Sequence, residues 1–293
     1  MLTYFITMAG LEERFQGGLD IASKECDRVV VFRNTEDASE PQVMANQEAA
    51  RRKLTNLKPE DMLDSSYKNP FVMIREFNRL ASSRMDELRI SRVVLDISTF
   101  NRQNLLVLLR LLRQVYRVPE VEILYTIPME VNPHLSKGAS GYSNVPFLGG
   151  DFTLGKRKLL LLLVGYELDR PLFLWRELEP SKVLLAEGLK PTAEGFYKAN
   201  KEAVDRLERT GRCERLSIAA DDPLVARDQL CELFEREAGA YNIVASPLNT
   251  KLQAVGLYLA WERHPSVQVV MSYPDKFDDW LSKGIREVRM FKI

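Results

Sequence analysis

The chain has 293 residues, 45% of them hydrophobic and 28% charged, the profile of a folded protein long enough for two domains. Lys+Arg and Asp+Glu both number 41, so no net positive field exists to coat a nucleic-acid backbone. Two histidines and three cysteines in no CxxC spacing argue against a His-rich metal site, a His-based triad or a disulfide framework.

The start, MLTYFITMAG, lacks the charged n-region and long apolar stretch of a signal peptide, and LLLLLV at 159–164 is too short to cross a bilayer. The expectation is a cytoplasmic protein with no membrane partner and no cofactor. The first strand-like run, ending at TMAG, leads into LEERFQGG, which starts a helix with Glu12 and Arg14 near its N-terminus. RVVVF is a second strand, NTEDASEPQ (34–42) a mobile polar loop, and MANQEAARR a helix. RVVLDI is a strand with Asp96 at its end, followed by a turn with Ser98 and Thr99. The segment NRQNLLVLLRLLRQVY then reads as an amphipathic helix with Arg102, Arg110 and Arg113 on its solvated side. VEILY is the next strand, followed by a proline and LSKG at 135–138.

The same order then returns. Gly165 and Glu167 match Gly10 and Glu12 at an offset of 155, with Arg170 one step from the equivalent of Arg14. KANKEAVDR matches MANQEAARR at an offset of 154, pairing Asn200 with Asn46. The helix starting near Pro223 answers the one near Pro70, with Asp222 as its N-cap. YNIVASPLNTK answers RVVLDISTFNR as strand, polar turn and helix, and LSKG recurs at 281–284. Collinear matches of this kind are the mark of an internal duplication.

Near-continuous apolar strands alternating with helices specify an α/β fold with mainly parallel sheets covered on both faces. Two tandem Rossmann-like units are expected, 1–148 and 149–293. A Gly-, Ser- and Pro-rich linker is expected at 140–157. Ligands of such sheets bind beyond the carboxyl ends of the strands, against helix N-termini. The candidates there are Glu12, Arg14, Glu167 and Arg170 in the first turn, then Ser98, Thr99, Arg102, Asn249, Thr250 and Lys251 in the second. Lys137 and Lys283 of the LSKG strings are further candidates, as small basic nests. Arg102 and Lys251 oppose the positive end of a helix unless an anion lies nearby. No P-loop or G-x-G-x-x-G is present. His134 and His264 occupy non-equivalent positions, and the carboxylate pairs Asp221/Asp222 and Asp278/Asp279 fall in loop or cap settings, so none has a catalytic role.

A strand, SPLNTK and a helix resemble the Gly/Thr/Lys turn of the CRISPR-associated Rossmann-fold (CARF) sensor domains, and two fused units resemble the related SAVED domains of anti-phage signalling systems. The resemblance implies a cleft for a cyclic oligonucleotide, with Thr250 and Lys251 touching the ligand. DISTFNR in the first half and Asn249 in the second depart from the family's glycines. Three functions follow. The first is a sensor or regulatory subunit for a nucleotide-like anionic small molecule, passing its signal to a protein effector or through self-association. The second is a nucleotide- or nucleic-acid-processing enzyme of ring-nuclease or nucleoside-hydrolase type, in which Asp96 is the best catalytic candidate. The third is a non-catalytic structural subunit of a defence complex.

Overall fold

A computed structural model describes residues 1–132, 136–189, 194–277 and 281–293. His134, Asp278 and Asp279 lie outside the described residues. The chain divides into two compact units, Met1–Glu130 with Trp280–Ile293, and Val131–Asp279. Each is an α/β unit built on a six-stranded, mainly parallel sheet.

In the first unit the order is β1 (Thr3–Met8), α1 (Phe15–Glu25), β2 (Arg28–Asn34), α2 (Pro41–Lys53), β3 (Met62–Ser65), α3 (Pro70–Ser82), β4 (Arg92–Asp96), α4 (Arg102–Arg110) and β5 (Glu120–Ile127). The second unit opens with β6 (Gly141–Asn144). It continues through β7 (Arg157–Leu163), α5 (Asp169–Leu178), β8 (Lys182–Leu189), α6 (Glu194–Glu208), β9 (Glu214–Ala219), α7 (Pro223–Glu237), β10 (Tyr241–Pro247), α8 (Lys251–Arg263) and β11 (Gln268–Tyr273). The chain ends with β12 (Glu287–Lys292), which returns to the first sheet.

The two sheets have the same plan. The first runs β12-β5-β4-β1-β2-β3 and the second β6-β11-β10-β7-β8-β9. Five strands in each are parallel, and the sixth is an antiparallel edge strand: β12 on β5, with Met290 opposite Leu124, and β6 on β11, with Ser143 opposite Met271. The duplication read from the sequence is therefore a duplication of topology.

The strands are apolar on both faces because helices cover both faces. All of Thr3–Met8 is buried, as is all of Leu159–Leu163. On one face of the first sheet, Phe5, Val29, Val31, Val94 and Leu124 pack with Phe15 and Leu19 of α1 and Ala50 of α2. In the second, Leu160, Leu162, Val183, Leu185, Val244 and Val270 pack with Leu174 of α5 and Val204 and Leu207 of α6. Each such aliphatic side chain contributes about 1.5–3 kcal/mol on burial. Asn69 and Asp222 cap α3 and α7 through the backbone N–H of Phe71 and of Leu224 and Val225, with Pro70 and Pro223 at the first helical position.

Two local expectations differ from what is observed. The helix after β4 is not two-sided: every residue from Gln103 to Leu109 is buried, and the helix passes into a π-type turn over Leu111–Val115. A helix apolar nearly all round is a buried helix, and α8 repeats this, with Leu252 to Trp261 all buried. The Gly- and Ser-rich stretch 140–157 is not a simple linker. It contains β6, and Val145 and Leu148 are buried and bond Val269 through backbone N–H···O contacts of 2.9 Å.

Candidate functional site

The carboxyl ends of β1 and β4 in the first unit, and of β7 and β10 in the second, carry the turns that sequence singles out. The turn after β1 is shaped by Gly10, where an added Cβ would sit 3.2 Å from Cβ of Thr99 in the neighbouring turn. At the equivalent Gly165 the added atom would lie 2.4 Å from the backbone oxygen of Leu248. Glycine lets the two strand-to-helix turns meet closely, against a side chain at Gly10 and against backbone at Gly165.

A buried asparagine holds each of these turns. Asn46 Nδ2 donates to the carbonyls of Gly10 (2.8 Å) and Glu12 (3.1 Å). Asn200 Nδ2 donates to Val164 and Gly165, both at 2.6 Å, and Asn200 Oδ1 accepts from Gly188 N at 2.9 Å. Both asparagines are fully buried. The repeated string A-N-x-E-A marks this clamp. Sequence reasoning used it to detect the duplication without giving it a role, although a repeated amide inside an apolar helix face already signals backbone groups to satisfy.

Glu12, Arg14, Glu167 and Arg170 form one constellation in two copies. Arg14 donates to Glu12 Oε1 (2.8 Å) and the Tyr125 hydroxyl (3.1 Å), and stacks over the Tyr125 ring. Burial disfavours its charge, but Glu12 and Tyr125 outweigh this and hold the guanidinium even more firmly protonated than usual. Ser282 Oγ donates to Glu12 Oε2. In the second unit Arg170 reaches Glu167 Oε2 (3.5 Å) and the Ser272 carbonyl (2.9 Å), and Ser136 Oγ donates to Glu167 Oε1 (2.5 Å). These four charged side chains are all bonded within the fold, to the end of the fifth strand and to the serine of LSKG.

Asp96 is fully buried at the end of β4. Its Oδ2 accepts from Thr7 Oγ1 (3.0 Å), and its Oδ1 accepts from Ser98 N (3.0 Å) and from Ser98 Oγ. Ser98 Oγ in turn accepts from Thr126 N at 2.8 Å. Burial pushes the Asp96 carboxyl up, against the opposing pull of the Ser98 and Thr7 hydrogen bonds and of Arg14. An added Cβ on Gly18 would lie 2.5 Å from Oδ2, so α1 closes over the group. In the second unit Ser246 takes this position and donates to the Val270 carbonyl at 2.9 Å.

The turn after the fourth parallel strand, β4 in the first unit and β10 in the second, ends in a capped helix. Asn101 Oδ1 accepts from Asn104 N (2.8 Å) before Arg102, and Thr250 Oγ1 accepts from Gln253 N (3.1 Å) before Lys251. The Thr250 hydroxyl also donates to the Ala220 carbonyl at 2.6 Å, and the Thr99 hydroxyl donates to the Met8 carbonyl. Asn249 is buried against Gly188, where an added Cβ would lie 2.5 Å from its Nδ2. Arg102 and Lys251 are half-buried in the first helical turn, while Lys137 and Lys283 are exposed.

A further polar group lies at the same edge of the first sheet, partly in the stretch 34–42 that the sequence marks as a polar loop. Glu36 and Asp37 follow β2 and are half-buried, as is Tyr67 just after β3, and Ser66 Oγ donates to Glu36. Burial, then Glu36, pushes the Asp37 carboxyl up, and burial with Asp37 and Glu36 pushes the Tyr67 phenol up. Carboxylate and phenol groups there can accept hydrogen bonds from sugar hydroxyls. The signal was a polar run directly after a strand.

No family model matches the chain, and no curated protein matches it. Among solved structures, a type III CRISPR defence DNA nuclease activated by cyclic oligoadenylate aligns at 10% identity and a TM-score of 0.46, over 88% of this chain and 64% of that one. The chain thus spans less than two thirds of that nuclease. The cytoplasmic domain of a prokaryotic cation chloride cotransporter aligns at 12% identity and a TM-score of 0.25, over 94% and 96% of the two chains. An arabinose-binding protein from Geobacillus stearothermophilus aligns at 11% identity and a TM-score of 0.23, over 92% of this chain and 73% of that one. None reaches a TM-score of 0.5, and none carries weight for function.

Proposed function

We propose that the chain is a sensor or regulatory subunit that binds a nucleotide-like anion at the carboxyl edges of its parallel sheets, with a cyclic oligonucleotide as the leading ligand class. The observation that carries this reading is the repeated turn after the fourth strand. In both units a side-chain-capped helix begins with a cation, Asn101 then Arg102 and Thr250 then Lys251. A cation in that position is disfavoured by the helix dipole and is stabilised when an anion joins it. Glu36, Asp37 and Tyr67 at the same edge of the first unit supply acceptors for ribose hydroxyls. Asp96 favours binding over catalysis, since its carboxylate oxygens are engaged by Thr7 and Ser98 beneath α1. The resemblance to the CARF and SAVED sensors adds the cyclic ligand and an anti-phage defence setting, with a protein effector or a second copy receiving the signal. No helix among the described residues is long and apolar enough to cross a membrane.

The test is a thermal-shift screen of the full chain against AMP, ADP, cyclic dinucleotides and cyclic oligoadenylates. A ligand at about 100 times its Kd stabilises by about 2.7 kcal/mol, a readily measured shift. Stabilisation by a nucleotide that is lost in Lys251→Ala supports the reading. A flat response to the whole panel overturns it.

A further inference from the structure

Each LSKG string follows the last parallel strand of one sheet, and its serine and glycine belong to the other compact unit. The string at 135–138 follows β5, the fifth strand of the first unit, yet Ser136 bonds Glu167 in the second unit and Gly138 N donates to Asp169 Oδ2 at 2.8 Å. The string at 281–284 follows β11, the fifth strand of the second unit. Its Ser282 bonds Glu12 in the first, and Gly284 N donates to Glu13 Oε2 at 3.2 Å. Both glycines have positive φ, +69° and +66°, a conformation that glycine adopts without strain, and each precedes an edge strand. Those strands, β6 and β12, are the antiparallel edges of the second and the first sheet.

We infer that LSKG is the anchor of two reciprocally exchanged arms, so that each half of the chain supplies the edge strand that completes the other half's sheet. Ser136, Glu167 and Arg170, with Ser282, Glu12 and Arg14, are then arm-positioning residues. Each arginine ties the anchored glutamate to the end of the strand on which the arriving arm pairs, through Thr126 and Tyr125 in one unit and Ser272 in the other. Two observations carry this independently of any ligand: the same string has equivalent partners twice, and both edge strands come from the opposite half. The covalent join between the halves is then dispensable once the chain has folded.

Leu154, 99% exposed beside Gly155, gives a place to test this. A protease site inserted after Leu154 in the full chain is cleaved in the folded protein, with cysteine pairs placed across the exchanged strands. Glu122→Cys with Lys292→Cys spans β5 and β12, and Ser143→Cys with Met271→Cys spans β11 and β6. The expected result is that cleaved, oxidised monomer runs at full-chain size without reductant for both pairs, and as two fragments with it. The cleaved parent with only Cys26, Cys213 and Cys231 gives the background. Fragments that separate without reductant overturn the inference, and so do cross-links found only between copies of the chain. If one pair fails to fold, the other decides. For the anchors, Ser282→Ala is expected to speed amide exchange of residues 287–292 roughly fivefold while leaving β1 unchanged. No change in those amides removes the positioning role.

Discussion

Replacing Asn200 by alanine is the most severe single test of the duplicated turn. The amide is fully buried and serves three backbone groups: the carbonyls of Val164 and Gly165 and the N–H of Gly188. Alanine leaves all three without that partner in the buried interior. At about 1–3 kcal/mol for each unsatisfied buried group, and less for a carbonyl that keeps another bond, the expected loss is about 3–5 kcal/mol. Asn46→Ala removes two carbonyl contacts and one bond to Gln42, which is exposed enough to turn to water, so its expected loss is smaller, about 2–3 kcal/mol. Asn200→Asp separates hydrogen bonding from volume. It keeps the size and the acceptor for Gly188, but places a carboxylate against two carbonyl oxygens, and it should cost at least as much as alanine. The assay is urea unfolding followed by circular dichroism, with each unit's transition fitted separately because a two-unit chain need not unfold in one step. A loss below 1 kcal/mol for Asn200→Ala, or an aspartate variant as stable as the parent, refutes the clamp.

Gly165→Ala drives a methyl group into the Leu248 carbonyl and should cost about 1–3 kcal/mol, more than Gly10→Ala, where the obstacle is a side-chain atom; matched urea midpoints check the order. The Asp37 carboxyl titrates higher in the folded than in the unfolded chain, so the folded state binds that proton more tightly. Its destabilisation grows as pH rises from the unfolded carboxylate value through the raised folded one. Asp37→Asn should therefore raise the Tm at neutral pH and leave it unchanged in acid below the carboxylate range, and melting curves across pH decide this. Asp96→Ala removes the acceptor shared by Thr7 and Ser98 and should lower stability by about 2–4 kcal/mol. Any nucleotide turnover found in the parent should survive in the variant that remains folded, and turnover abolished in a well-folded variant would restore the enzyme reading.

The α/β class, the mainly parallel sheets and the duplication were legible because they rest on patterns that run along the chain: apolar strands, capped helices and ordered matches such as Asn46 with Asn200. Which charged side chains remain available to a ligand was not legible. Glu12 and Arg14 sit at a helix start beside a ligand-competent edge, and nothing local reveals that Ser282, 270 residues away, bonds the same carboxylate. The exchange of arms was hidden for a related reason. Strand periodicity marks β6 and β12 weakly and says nothing about which sheet they join. The Gly- and Ser-rich sequence around β6 carries the composition of a linker, because an edge strand with one covered side tolerates small and polar residues. Asp96 looked accessible because the end of a parallel strand usually is. Its enclosure depends on Gly18 letting α1 approach, which only the packed structure displays.

In the proposed function the repeated capped turns hold a nucleotide anion. Isothermal titration of the full chain with a cyclic oligoadenylate, at low and at moderate salt, tests it most directly. The expected result is saturable binding that weakens with salt and weakens at least tenfold in Lys251→Ala and in Arg102→Ala, with the fold of both variants intact. Absence of binding for this ligand and the other nucleotides of the panel, or binding that neither substitution alters, would contradict it.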